Sequence, residues 1–318
     1  MFAPHISLST VARDDFGVAP ILAKHNLQDC DLFSDGSLVE LLDRFPREHL
    51  YALTMGHDVT RPEQNRLALH DGVSGAELLR AVKNGRLWLN ITGVDRADAQ
   101  YRKLIDSLYA TLAAEKPGFV PLASQGALLI SSPRALVYYH ADAPCSMLWH
   151  VRGRKRIWIY PALHPYYADR EHLEGIFAGE RHEYLPYRHE FDTGAVSYEL
   201  HPGDCAAWPQ NAPHRITNLD SLNVSLTTEH FTAESVQRQR VYVANRFFRK
   251  KLRLRRLADS DSPALDVVKT FVQRAANKVG LDPVRYRAHQ PVARIDADAP
   301  NGVVDFADLD RRDILGAT

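Results

Sequence analysis

His140 and Asp142 stand two residues apart in the stretch from Tyr138 to Pro161, and a basic cluster from Arg152 to Arg156 follows shortly after. The residues around them are apolar and β-forming, and burial alone gives no reason for ionisable groups there. In a strand, residues i and i+2 point to the same side. An imidazole nitrogen and a carboxylate oxygen are therefore aimed at one point. Two such donors are too few to hold a catalytic metal. A third is His214, just after a Pro-containing turn at the start of another apolar run. Two histidines and a carboxylate leave one side of a metal open, as in non-haem Fe(II) oxygenases. The open side is where a chelating cosubstrate and dioxygen would bind.

The elements that must position these residues lie between about 120 and 231. There the runs ALLIS, ALVYYH, MLWHV, RIWIY, AVSYEL, CAAWP, HRITNL and LNVSLTTE are separated by Gly, Pro, Asn and Asp. Eight such runs predict a closed barrel or a double-sheet jelly roll. Between Pro161 and Val196 the rhythm breaks, and a segment rich in Tyr, His and Arg reads as an insertion. Before the barrel, helices are predicted over 34–45, 74–85 and 97–115, the second opened by a capping box of Ser74 and Glu77. Alternation of Leu87, Leu89 and Ile91 predicts a strand over 86–91. Helices return after 231. One opens at Pro263, carries Val268, Phe271, Val272, Ala275 and Val279 on one face, and stops at Gly280. The expected division is an α/β extension (1–119), a mainly β core (120–231) and a helical region (232–318).

The chain resembles the JmjC-like, cupin-fold 2-oxoglutarate oxygenases, in particular the hydroxylase branch that includes factor inhibiting HIF. Three features in order carry the resemblance: His140-Ala-Asp142, the turn Gly153-Arg-Lys155-Arg156, and Gly203-Asp204 followed by Pro209 and His214. It implies a double-stranded β-helix flanked by helices, with His140, Asp142 and His214 as catalytic Fe(II) ligands. It implies that Lys155 binds the far carboxylate of 2-oxoglutarate, and that Ser146 and Thr227 fall near this cosubstrate. The implied reaction hydroxylates a C–H bond and releases succinate and CO2. Relatives often carry a hydroxyl donor three residues before the first histidine, where this chain has Val137. Tyr138, Tyr139 or Thr227 are the candidates to replace it.

Net charge is zero over 318 residues, so any attraction to nucleic acid or membrane must come from a local patch. The one such patch is Arg246 to Arg256, with seven basic residues in eleven and Phe247 and Phe248 among them. It reads either as a nucleic-acid surface or as a helix face paired with acidic residues. A non-catalytic regulatory or nucleic-acid-binding cupin is the alternative function. The three cysteines form no CxxC pair, and no run approaches a transmembrane length, which together predict a cytoplasmic protein. A protein side chain or a small molecule is the expected substrate, and the apolar faces of 233–257 and 263–279 are the expected homodimer contacts. In the insertion, His182-Glu183 and His189-Glu190 lack helical metal-site spacing, and the segment is expected to cover the substrate.

Overall fold

The computed structural model describes residues 2–254, 257, 263–278, 280 and 290–308. Each of the eight apolar runs forms a strand: β1 (Leu122–Ser131), β2 (Leu136–His140), β3 (Cys145–Arg152), β4 (Lys155–Ile159), β5 (Val196–Leu200), β6 (Asp204–Trp208), β7 (His214–Asn218) and β8 (Asn223–Phe231). They pair antiparallel in two sheets, ordered β1-β8-β3-β6 and β2-β7-β4-β5. Except for β4 and β5, joined by the insertion, successive strands lie in opposite sheets. This is the predicted double-stranded β-helix. Leu148, Ile157, Ile159, Leu200, Ala206 and Ile216 fill the space between the sheets.

The first sheet continues beyond the barrel. Ile21–His25 pairs with β6, and Leu87–Thr92 pairs with β1. Leu50–Thr54, Arg66–Leu69, Ala293–Ile295 and Val303–Asp305 follow in that order. Helices α1 (Asp35–Arg44), α2 (Gly75–Asn84) and α3 (Ala99–Glu115) pack their apolar stripes on its outer face. The predicted capping box of Ser74 and Glu77 is formed. Because the sheet is covered on both sides, β3 is buried along its length except at Arg152. Its Met147, Trp149 and Val151 join the helices while Leu148 joins the barrel interior. A strand buried on two faces has no reason to alternate, which is why MLWHV does not.

The insertion forms helix α4 (Arg170–Phe177) and then folds back over β2. Its Leu185 amide donates to the Tyr139 carbonyl at 3.0 Å, and the Ala141 amide donates to the Glu183 carbonyl at 3.2 Å. Asp192 fixes the insertion's other end by accepting from Arg215, Tyr160 and Tyr187 at 2.5–2.9 Å. After β8 come α5 (Ala233–Leu252) and α6 (Pro263–Lys278). The basic run on α5 faces α4. Arg246 and Lys250 pair with Glu180 at 2.7 and 2.9 Å, and Arg249 pairs with the fully buried Glu174 at 2.8 Å. Arg255 and Arg256 of that run lie outside the described residues, as does Val279.

Helix α6 meets α5 with its polar side. Asp266, Lys269 and Gln273 are buried, and Lys269 contacts both Asp266 and Asn245. The apolar face with Val268, Phe271 and Val272 points outward, and Phe271 is 72 % exposed. Periodicity identified that face but not the direction in which it points.

Candidate active site

His140 ends β2, His214 begins β7, and these two strands are neighbours with the two histidines in register. Asp142 lies two residues past the end of β2. Strand pairing therefore brings together groups far apart in sequence. The Asp142 carboxylate lies 3.4 Å from His140 Nε2 and 3.6 Å from His214 Nε2, and the donor atoms of all three lie within 4.8 Å of one another. Each imidazole is held by its other nitrogen. His140 Nδ1 lies 2.7 Å from the Tyr138 carbonyl, and His214 Nδ1 lies 3.1 Å from the Ala212 carbonyl. A carbonyl only accepts, so each Nδ1 carries the hydrogen and each Nε2 presents its lone pair to the common point. Asn211, at a φ of 62°, donates from Nδ2 to the Asp142 carbonyl at 3.1 Å and fixes the loop that carries the carboxylate.

The electrostatics suit a cation. Burial alone would raise the Asp142 carboxyl, but the facing His214 and His140, with Ser146 alongside, hold it well below the ordinary range. Burial, with His140 opposite, pushes His214 down to about 4, so its imidazole is neutral at pH 7. Two neutral or charge-compensated nitrogen donors and one carboxylate fit a divalent transition metal.

A cavity of about 200 Å³ opens from the triad into the barrel and is lined by Val137, Leu148, Trp208, Ile216 and Thr227. The Oγ1 of Thr227 donates to the Met147 carbonyl at 3.3 Å. Ser146 is buried beside Asp142. Lys155 does not line this cavity. It sits deeper in the barrel, opposite Asn218, while His214 pairs with Ile159 four residues along the same strand. It is 3 % exposed, no acidic residue pairs with it among the described residues, and burial pushes its ammonium down to about 7. The Tyr138 hydroxyl accepts from the Gly56 amide, and the Tyr139 hydroxyl donates to the Tyr167 carbonyl. Neither tyrosine lines the cavity.

A wider cleft of about 450 Å³ leads outward, lined by Tyr51, Trp88, Asn90, His140, Glu183 and Tyr184 among others. Of the insertion's singled-out residues, His182, Glu183 and Tyr184 reach this cleft, whereas Tyr166, Tyr167 and Tyr187 pack around Phe191. Glu229, which accepts from Gln125 Nε2 at 2.7 Å, lines the inner cavity and is pushed up to about 7 by burial and by the Asp142 charge. Sequence reasoning missed Trp88 and Asn90. The signal was present, because they occupy the other face of the strand whose Leu87, Leu89 and Ile91 are buried under the helices.

No protein-family model matches the chain, and no curated protein matches it in sequence. Among solved structures it is similar to ycfD of E. coli, at 15 % identity over 87 % of this chain and 69 % of that one, with a TM-score of 0.50. This is a likeness of fold. A second structure, of the Escherichia coli ribosomal oxygenase YcfD, shares 14 % identity over 93 % of this chain and 76 % of that one, with a TM-score of 0.48. A third, of the same protein with cobalt and 2-oxoglutarate, shares 13 % identity over 92 % of this chain and 75 % of that one, with a TM-score of 0.46.

Proposed function

We propose that this chain is an Fe(II)- and 2-oxoglutarate-dependent hydroxylase. The observation that carries the reading is the convergence of His140 Nε2, His214 Nε2 and the Asp142 carboxylate on one point, with both Nδ1 atoms held by backbone carbonyls. When bound, Fe(II) would activate dioxygen with 2-oxoglutarate as the co-reductant: one C–H bond, dioxygen and 2-oxoglutarate go in, and one C–OH, succinate and CO2 come out. The chain's own residues do the rest. His140, Asp142 and His214 hold the metal and leave its inner side open to the cavity. Val137, Leu148 and Ile216 keep water from that side. Lys155, at the buried end of the barrel, supplies a positive charge for a dicarboxylate's far end. Its side chain must extend toward the cavity to make that contact. Tyr51, Trp88, Asn90 and Glu183 form the walls along which a substrate approaches the metal.

A protein side chain is the favoured substrate, since the outer cleft is open and wide enough for a segment of polypeptide. Among the described residues no helix is long and apolar enough to cross a membrane, and a cytoplasmic location goes with this reading. The outward apolar face of α6 is the proposed contact of a homodimer. A nucleic-acid-binding role is disfavoured because Arg246, Arg249 and Lys250 are already paired with Glu180 and Glu174.

The test is metal and cosubstrate binding. The parent protein should take up one Mn(II) or Fe(II) and convert 2-oxoglutarate to succinate, slowly without substrate. His140→Ala and His214→Ala should each lose stoichiometric metal while keeping the parent's circular dichroism. Unchanged metal content in both variants would end the assignment.

A further inference from the structure

A dicarboxylate in the inner cavity calls for hydrogen-bond donors along its walls, and few of the lining residues offer one. Val137 carries no hydroxyl, neither neighbouring tyrosine lines the inner cavity, and Thr227 donates to the Met147 carbonyl. Trp208 is different. It lies at the end of β6 in register with Ser146, directly before the turn that leads to His214, so its backbone is fixed from both sides. The side chain is 4 % exposed and lines the inner cavity, with its ring 4.4 Å from that of His214. Its Nε1–H is buried and has no acceptor among the described residues. An indole N–H is a donor only, and a buried donor is rarely left without an acceptor. Trp88 also has an unpaired Nε1–H and lines both the inner cavity and the outer cleft, whereas Trp208 has its ring against the imidazole of His214.

Resting on the reading of the site given above, we propose that Trp208 Nε1–H donates a hydrogen bond to a carboxylate oxygen of bound 2-oxoglutarate. Trp208 is thereby a cosubstrate-positioning residue at the metal end of the cavity, and Lys155 serves the far end. The neighbouring inward position on β6 is Ala206, whose small side chain leaves room beside the indole.

The experiment uses the full chain loaded with Zn(II), which is diamagnetic, and 15N-labelled at its four tryptophans. Trp208→Phe removes the N–H, retains a ring against His214, and assigns the Trp208 resonance by its loss. Adding 2-oxoglutarate should shift the Trp208 Nε1–H signal downfield by more than those of Trp88, Trp149 and Trp158. By calorimetry, Trp208→Phe should bind Zn(II) as the parent does and 2-oxoglutarate about tenfold or more weakly, as expected for a lost hydrogen bond to a charged group. If 2-oxoglutarate binds the parent while the Trp208 signal stays in place, the proposal is overturned and the hydroxylase reading stands. If the zinc-loaded parent binds no 2-oxoglutarate at all, both fall. Should Trp208→Phe not fold, the shift in the parent decides alone, with the resonance assigned from backbone-linked spectra.

Discussion

Lys155 is the residue whose placement is hardest to explain by folding alone. A lysine 3 % exposed with no acidic partner among the described residues destabilises the fold whenever it is charged. Burial brings it from an ordinary value of 10.5 to about 7. Between those two values the unfolded chain binds more protons than the folded one, so stability rises with pH across that window. Below about 7 both states carry the proton and the full penalty applies. Lys155→Met should therefore raise the melting temperature of the metal-free protein at pH 6, with the gain shrinking toward pH 10. The same change should weaken 2-oxoglutarate binding to the manganese-loaded protein by about ten- to hundredfold, the loss expected for a charge-assisted contact. A melting temperature that falls at pH 6 would mean that Lys155 is held by something other than the cosubstrate. The converging triad of His140, Asp142 and His214 was legible in the sequence because the spacing of its members around two strand ends matches what a metal site needs. Trp208, Gln125 and Glu229 were not, since a lone polar or aromatic residue on a strand does not reveal which face becomes the cavity.

Helices α4 and α5 show the same limit one level up. From the sequence, Arg246 to Arg256 reads either as an open basic surface or as a helix face paired with acidic residues, because the acidic residues that meet it come from the insertion, far earlier in the chain. The two ends of this interface should respond differently to mutation. Arg249→Gln removes the guanidinium that pairs with the fully buried Glu174, and loss of a buried partner costs about 3–5 kcal/mol. Lys250→Gln removes a half-exposed partner of Glu180 and should cost no more than about 1 kcal/mol. Urea denaturation of both variants checks the difference, and equal losses would show that the pairs do not hold the helices together. DNA or RNA binding by the parent should be weak at physiological salt. Helix α6 was readable as amphipathic, yet its buried side is Asp266, Lys269 and Gln273. Phe271→Asp should convert a homodimer to a monomer in sedimentation experiments without lowering thermal stability. A monomeric parent would remove the dimer from the proposal.

On the scale of the molecule, the eight-strand barrel was legible from its strand rhythm, but the sheet that runs through it was not. Pairing of Leu87–Thr92 with β1, and of Ile21–His25 with β6, joins residues before 120 to the barrel by backbone hydrogen bonds. Residues 120–231 expressed alone should therefore fail to give dispersed amide resonances, since Met147, Trp149, Val151 and Val224 would lose the helices that cover them. A folded fragment would show that the extension is dispensable. The far edge of that sheet has a consequence for biosynthesis. Arg66–Leu69 pairs with Leu50–Thr54 on one side, and on the other it is covered only by the parallel strand Ala293–Ile295. That covering strand leaves the ribosome more than two hundred residues later. At about 5–20 residues per second, the nascent chain presents an open strand edge for roughly 10–45 s. An open edge invites pairing with other chains. Overproduction at lower temperature, or with chaperones that hold nascent chains, should raise the soluble yield of this protein more than that of a barrel whose edges close in order of synthesis.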